Sequence, residues 1–143
     1  MAFRITRPRR GSESGPGAGA DRQPEQDEGA GSEIDRLTGL WRFEHWYDDL
    51  TRVSLERDGR EKIGIVFLDL VDFRELNATF GEIRGDEVLA VIGERLRTQL
   101  PRWRFGRYAG DEFVGFVRHV QSEHHLEELC RVLGGILSEP ITA

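Results

Sequence analysis

Asp111 and Glu112 stand side by side in the stretch Arg107-Tyr108-Ala109-Gly110-Asp111-Glu112-Phe113, which reads as a tight hairpin. Tyr108 leads in, and the apolar run from Phe113 to Val117 leads out. Turn chemistry accommodates Asp at such a tip, but nothing structural requires an acid pair there. A cation and a phosphate would. A third carboxylate, Asp69, closes the apolar run Ile63–Leu70, which reads as a strand buried on both faces. Taken singly, Asp69 is an ordinary strand-end residue. If the two strands are neighbours in one sheet, Asp69 and Asp111 face a common crevice. Hard carboxylate oxygens suit Mg²⁺, which takes one or two protein carboxylates and completes its shell with substrate phosphates.

Several elements must position these groups. Phe43 to Arg57 reads as a helix, with Phe43, Trp46, Tyr47, Leu50 and Val53 near helical spacing. Asp58-Gly59 breaks it. After the Ile63–Leu70 strand, Asp72 and Glu75 have capping-box spacing for a short helix through Asn77. Asp86 is positioned to start a longer helix, with Val88, Leu89, Ile92 and Leu96 on one face, and Pro101 stops it. Trp103–Tyr108 and Phe113–Val120 form the hairpin. Leu126, Leu129, Cys130, Leu133 and Leu137 stripe a last helix. This order predicts an α/β fold with helices packed on a mixed β-sheet.

Composition narrows the function classes. The chain has 143 residues and a formal net charge of −6, which argues against a nucleic-acid groove. One cysteine excludes an internal disulfide and fits a reducing, cytoplasmic setting. No apolar run reaches the ~18 residues of a membrane span, and no apolar signal core opens the chain. Arg4, Arg7, Arg9 and Arg10 precede a Gly-, Ser- and acid-rich stretch without periodicity. Residues 1–32 are therefore expected to be a disordered tail, whose arginines touch solvent, a membrane surface or nucleic acid. His119, His124 and His125 are expected to face solvent, and Cys130 to lie in the core.

The motif Ala-Gly-Asp-Glu-Phe at 109–113 resembles the signature of the GGDEF family, the diguanylate cyclases. Other landmarks stand at matching spacing. Asp35-Arg36-Leu37-Thr38-Gly39-Leu40 is similar to the family's opening turn, and Ile65–Asp69 to its first strand. Phe73-Arg74-Glu75-Leu76-Asn77 and Gly85-Asp86-Glu87-Val88-Leu89 are similar to the helical segments that follow. The resemblance covers about residues 33–143, a partial domain, and implies the palm-like nucleotidyl cyclase fold, incomplete at the C-terminus.

The resemblance implies an activity and a residue set. The activity is condensation of two GTP into cyclic di-GMP with release of pyrophosphate. The alternative is a weak or inactive module that binds GTP or a protein partner in cyclic di-GMP signalling. By resemblance Asp69, the carbonyl of Leu70 and Asp111 hold Mg²⁺, or Mn²⁺ in its place, with Glu112 as supporting catalytic carboxylate beside Asp111. Asn77 and Asp86 read the guanine edge, whose N1–H and N2–H form a donor pair that adenine lacks. Helix termination by Asn77 and N-capping by Asp86 are the structural alternatives. Backbone amides around Phe73 cradle phosphate, with Arg74 where the family usually has Lys. Catalysis implies a homodimer, since each domain holds one GTP. The chain shows no coiled coil or sensor module, which leaves dimerisation to a protein partner.

Departures from the pattern are informative. Ala109 replaces a Gly, at a cost of about 1 kcal/mol if the position needs positive φ. Val71 stands where a second Asp is frequent, and Trp41-Arg42 lacks an expected Asn. The family's product-inhibition pair falls on Leu100 and Trp103, which cannot supply charged contacts. The strand, helix and basic residues expected to follow are not in the sequence, which predicts an exposed sheet edge and weak GTP binding.

Overall fold

The computed structural model describes residues 3–6 and 32–141. Strand β1 (Phe3–Thr6) and the two-residue β2 (Trp41–Arg42) precede helix α1 (Phe43–Glu56). Then come β3 (Gly64–Leu70), α2 (Phe73–Phe80), α3 (Glu82–Gln99), β4 (Trp103–Ala109), β5 (Glu112–Val117) and α4 (Glu123–Leu137). The sheet order is β1-β3-β5-β4-β2. All pairings are antiparallel except the parallel β2–β4 pair. This is the mixed α/β sheet expected from the sequence, and β3 and β5 are indeed neighbours.

Two apolar layers hold the sheet. On one face Leu89, Ile92 and Leu96 of α3 and Cys130, Leu133 and Leu137 of α4 pack against Val66, Leu68 and Leu70. On the other, Trp46, Leu50 and Val53 of α1 cover Val114 and Phe116. Period-2 alternation explains the split, since successive strand residues point to opposite faces. Truncating a ring such as Phe116, which is 1 % exposed, costs about 3–5 kcal/mol.

Some elements differ from the sequence expectation. The strand buried on both faces is β5, whose residues from Phe113 to Val117 are all buried. On β3 only alternate residues are buried, and Phe67 is 39 % exposed. The capping box does not form, because Asp72 sits in left-handed backbone (φ 61) and its side chain makes no cap. Helix α2 continues to Phe80, and α3 begins at Glu82, so Asp86 lies inside α3 and caps nothing. Strand β5 stops at Val117; His119 then turns through φ 59, while Val120 bonds back to the Lys62 carbonyl at 2.9 Å.

The expected disordered tail does not extend to Phe3–Thr6, which pair with β3 and form one edge of the sheet, with β2 at the other. The remainder of that expectation, over 1–2 and 7–31, lies outside the described residues. Among the described residues no helix is long and apolar enough to cross a membrane.

Candidate functional site

The β3–β5 ladder places Asp69 directly opposite Glu112. Between β4 and β5 the chain turns at Gly110, whose φ of 46 carries the left-handed step. A glycine there has no Cβ to clash. Ala109 lies within β4 and is not among the positive-φ residues, so the cost anticipated for replacing Gly does not arise. The strand register shifts between Arg107 and Ala109, a bulge of the kind that re-aims side chains beside a site. Tyr108 sits at this bulge, its ring edge-on to Phe43 with centroids 4.7 Å apart.

The turn is tied down from two sides. The Leu70 N–H donates to the Asp111 carbonyl at 3.3 Å, joining the end of β3 to the turn. Arg107 donates through Nε and Nη2 to the Gly110 carbonyl at 3.1 and 2.9 Å. Its Nη1 reaches Asp35 Oδ2 at 3.2 Å, and both side chains are largely buried. Asp35 also accepts from the Thr38 N–H at 3.0 Å and the Thr38 hydroxyl at 2.6 Å. Burial alone would raise the Asp35 carboxyl, but the Thr38 hydrogen bonds and the Arg107 charge outweigh it and hold the group below the usual carboxylate range. The opening turn is thus a brace for the hairpin.

Asp69 and Asp111 converge. Burial pushes the Asp111 carboxyl up, and the neighbouring Asp69 carboxylate pushes the same way. Together these overcome the Asp111 backbone amide and the Arg74 charge, which pull it down. Two carboxylates in mutual repulsion beside one arginine make a place where a divalent cation is stabilised. The donor set is all hard oxygen, and among the described residues no group of three or more His, Cys, Asp or Glu gathers to cage a metal. Two carboxylates with an open remainder fit Mg²⁺ shared with a phosphate ligand.

A second corner forms where α2 meets α3. The Asn77 carbonyl accepts the Gly81 N–H at 2.8 Å, while its side-chain Oδ1 is buried without a hydrogen-bond partner. That oxygen lies against Gly85, where a Cβ would strike it well inside van der Waals contact and would also touch the Phe73 ring at 3.1 Å. Gly85 therefore makes room for Asn77. Asp86, the next residue, is exposed. The structural alternatives for both residues fall away: α2 does not end at Asn77, and Gly81 is the N-cap of α3.

Of the other expected residues, Phe73 is a core side chain, 9 % exposed, so only its backbone is available to a ligand. Arg74 is exposed in the first turn of α2. Leu100 and Trp103 are each 7 % exposed and belong to the core. His119 lies 3.2 Å from Glu61 and His124 lies 3.6 Å from Glu128, so they form no joint cluster. Cys130 is in the core as expected. A cavity of about 220 Å³ lined by Leu40, Trp41, Arg97 and Trp103 holds none of the site residues. The Asp35–Arg107 brace was not legible beforehand, because 72 residues separate the partners.

The family described as "Diguanylate cyclase, GGDEF domain" matches residues 32–143. The chain is 33 % identical over 107 residues to diguanylate cyclase DgcN of Escherichia coli, covering 74 % of this chain and 26 % of that protein. It is 41 % identical over 87 residues to diguanylate cyclase DgcP of the same organism, covering 59 % and 26 %. A sensory box/GGDEF family protein from Caulobacter crescentus superposes with a TM-score of 0.66 at 27 % identity, covering 78 % of this chain and 74 % of that one. The chain spans about a quarter of the length of these curated relatives.

Proposed function

Since the chain belongs to the GGDEF family of diguanylate cyclase domains, we propose that it binds GTP with Mg²⁺ and condenses two GTP into cyclic di-GMP. The observation that carries this reading is the ladder that sets Asp69 opposite Glu112 and bonds the Leu70 N–H to the Asp111 carbonyl, which brings Asp69 and Asp111 to one end of β3 and β5.

Asp69, Asp111 and the Leu70 carbonyl would hold the metal, with Mg²⁺ preferred and Mn²⁺ able to replace it. When bound there, the metal supplies charge neutralisation at the phosphates and a lower pKa for the attacking hydroxyl. Glu112, opposite Asp69 on the same sheet face, supports the carboxylate set. The first amides of α2, free of any side-chain cap from Asp72, face the phosphates with Arg74. Asp86, which is exposed, and Asn77, once its Oδ1 turns outward from Gly85, accept from guanine N1–H and N2–H, which gives the orphaned Asn77 oxygen its partner. Helix α2 has 8 residues and rises about 1.5 Å per residue. The two corners are thus separated by on the order of 10 Å, which one nucleotide bridges with its base at one end and its triphosphate at the other.

In each of two bond-forming steps, the 3′-oxygen of one GTP bonds to the α-phosphorus of the other. The bond to the β-phosphate breaks, pyrophosphate leaves and the hydroxyl proton is released. One chain presents one GTP, so two chains meet face to face, brought together by a protein partner or a further segment. GTP is a cytoplasmic nucleotide, which places the activity there.

Incubating the protein with GTP and Mg²⁺ and measuring cyclic di-GMP and pyrophosphate tests the proposal. Product formation that stops on chelation is expected. GTP binding without product would assign the chain to the alternative, a nucleotide-binding module. Failure to bind GTP overturns the cyclase reading and leaves the alternative only as a module that binds a protein partner.

A further inference from the structure

We infer that Arg4, carried on β1, binds the β- or γ-phosphate of the nucleotide held at Asp69 and Asp111. This rests on the reading of the site given above.

The strand register carries the inference. Strand β1 runs antiparallel to β3, with Phe3 opposite Leu70, Arg4 opposite Asp69, Ile5 opposite Leu68 and Thr6 opposite Phe67. Directly opposed residues of an antiparallel pair share a face of the sheet. Ile5 joins the main core with its partner Leu68, and its Cδ1 lies 4.0 Å from where a Gly134 Cβ would stand. With Ile5 facing the core, Arg4 must face the other way, on the side of Asp69. A slip of one residue would drive the guanidinium into the apolar layer and Ile5 into water, so the register is strongly specified.

The row across the sheet is therefore Arg4, Asp69, Glu112 and Ala109, one residue from each of β1, β3, β5 and β4. Arg4 is exposed, and cover on this face is thin, since Phe67 beside it is 39 % exposed. Opposed Cβ atoms are about 4.5–5.5 Å apart. The arginine side chain is longer than that gap, so its guanidinium reaches past the Asp69 carboxylate to whatever Asp69 holds. Asp69 and Asp111 already repel one another, Glu112 stands opposite Asp69 in the ladder, and a triphosphate adds further negative charge. Arg74 is the cation already acting on Asp111. A planar guanidinium fork matches phosphate oxygens in pairs. An exposed Arg opposite an Asp across two strands is by itself a weak contact, so a structural role alone predicts a small effect.

The test is calorimetric titration of the full chain with GTP and with GMP, each with Mg²⁺, for the native protein and for Arg4→Ala, Arg4→Gln and Arg4→Lys. Thermal melting checks that the variants are folded, and Arg4→Gln serves if Arg4→Ala melts early. Losing a charge-assisted phosphate contact should weaken GTP binding roughly 10- to 100-fold. GMP, which lacks the outer phosphates, should bind unchanged, and Arg4→Lys should recover part of the loss. Equal GTP affinity in native protein and variants overturns the inference alone. So does an equal loss for GTP and GMP, which would mean a structural role. Native protein that binds no GTP overturns the functional reading and the inference with it.

Discussion

The two corners of the proposed site are built in different ways. The carboxylate corner rests on a hydrogen-bonded ladder. Asp69 is registered against Glu112, the Asp111 carbonyl is bonded to Leu70, and Arg107 ties the neighbouring Gly110 to Asp35. The α2–α3 corner rests on the fit of one side chain against a glycine, and leaves a buried oxygen without a partner. Backbone ladders hold charged groups in place against their mutual repulsion, as metal chemistry requires. A base-reading pocket needs shape and an unpaired acceptor, and tolerates a looser frame. The first corner should therefore fail by loss of charge, and the second by gain of a single methyl group.

The comparison can be broken most directly at the carboxylates. Asp69→Ala or Asp111→Ala should each lower cyclic di-GMP formation by more than roughly 100-fold, as losing a metal ligand exceeds losing its outer support. Because both act through one ion, the double variant should be little worse than either single one. Near-native turnover in either single variant would remove the metal assignment, and chelation should copy their effect.

At the other corner, Gly85→Ala should displace Asn77 and cost about 1–3 kcal/mol of stability. GTP affinity should fall on the order of tenfold while metal binding stays intact. If Gly85→Ala binds GTP as the native chain does, the α2–α3 corner is not where the base sits. Asp86→Ala should leave stability unchanged and narrow the preference for GTP over ATP.

The brace separates positioning from chemistry. Arg107→Ala should cost about 1–3 kcal/mol through the unpaired Asp35 and the Gly110 carbonyl. Turnover should fall less than with Asp111→Ala, as measured by denaturant melts beside the product assay. A loss equal to that of Asp111→Ala would give Arg107 a direct part in the reaction.

The pH dependence of stability sharpens the same point. Asp35 is held below its ordinary value of 3.8 when folded, so its stabilisation is present above that value and is lost as pH falls through the depressed one. Native protein should lose stability on acidification below about pH 4, and Asp35→Asn should show a shallower slope there. Equal slopes would mean that Asp35 does not report on the brace.

The smallest expected effect is at Leu100 and Trp103. Both are core side chains, so cyclic di-GMP added to a turnover assay should give no non-competitive inhibition through them. Such inhibition, if it vanished in a Leu100 variant that still folds, would reverse this.

Much of the candidate site was legible because its signals are local. An acid at the end of an apolar run, and an acid pair at a Gly turn, announce Asp69, Asp111 and Glu112 from within a few residues each. Asp86 was misplaced to a helix start because a glycine inside a helix costs about 1 kcal/mol and so reads as a break. The clearance that Gly85 gives Asn77 is the compensating reason, and it belongs to another helix. Arg4 was read as part of an unordered tail, because four residues are too few to show a period and the stretch after them is Gly-rich. The expectation that β3 is buried on both faces failed because cover depends on where α1 lies, over β4 and β5.

The sequence by itself determined which residue types are present and which elements they form, since the periods of 2 and 3.6 are properties of neighbouring residues. It also determined the membership that those motifs announce. Only the tertiary structure decided that β1 lies beside β3 with Arg4 opposite Asp69, that Asp35 grips Arg107, and that Asn77 rests on Gly85. Each of these joins residues that are distant in the chain or lie in different elements. Such contacts form when total burial outweighs the entropy of closing the loops between them, and no local pattern encodes that balance.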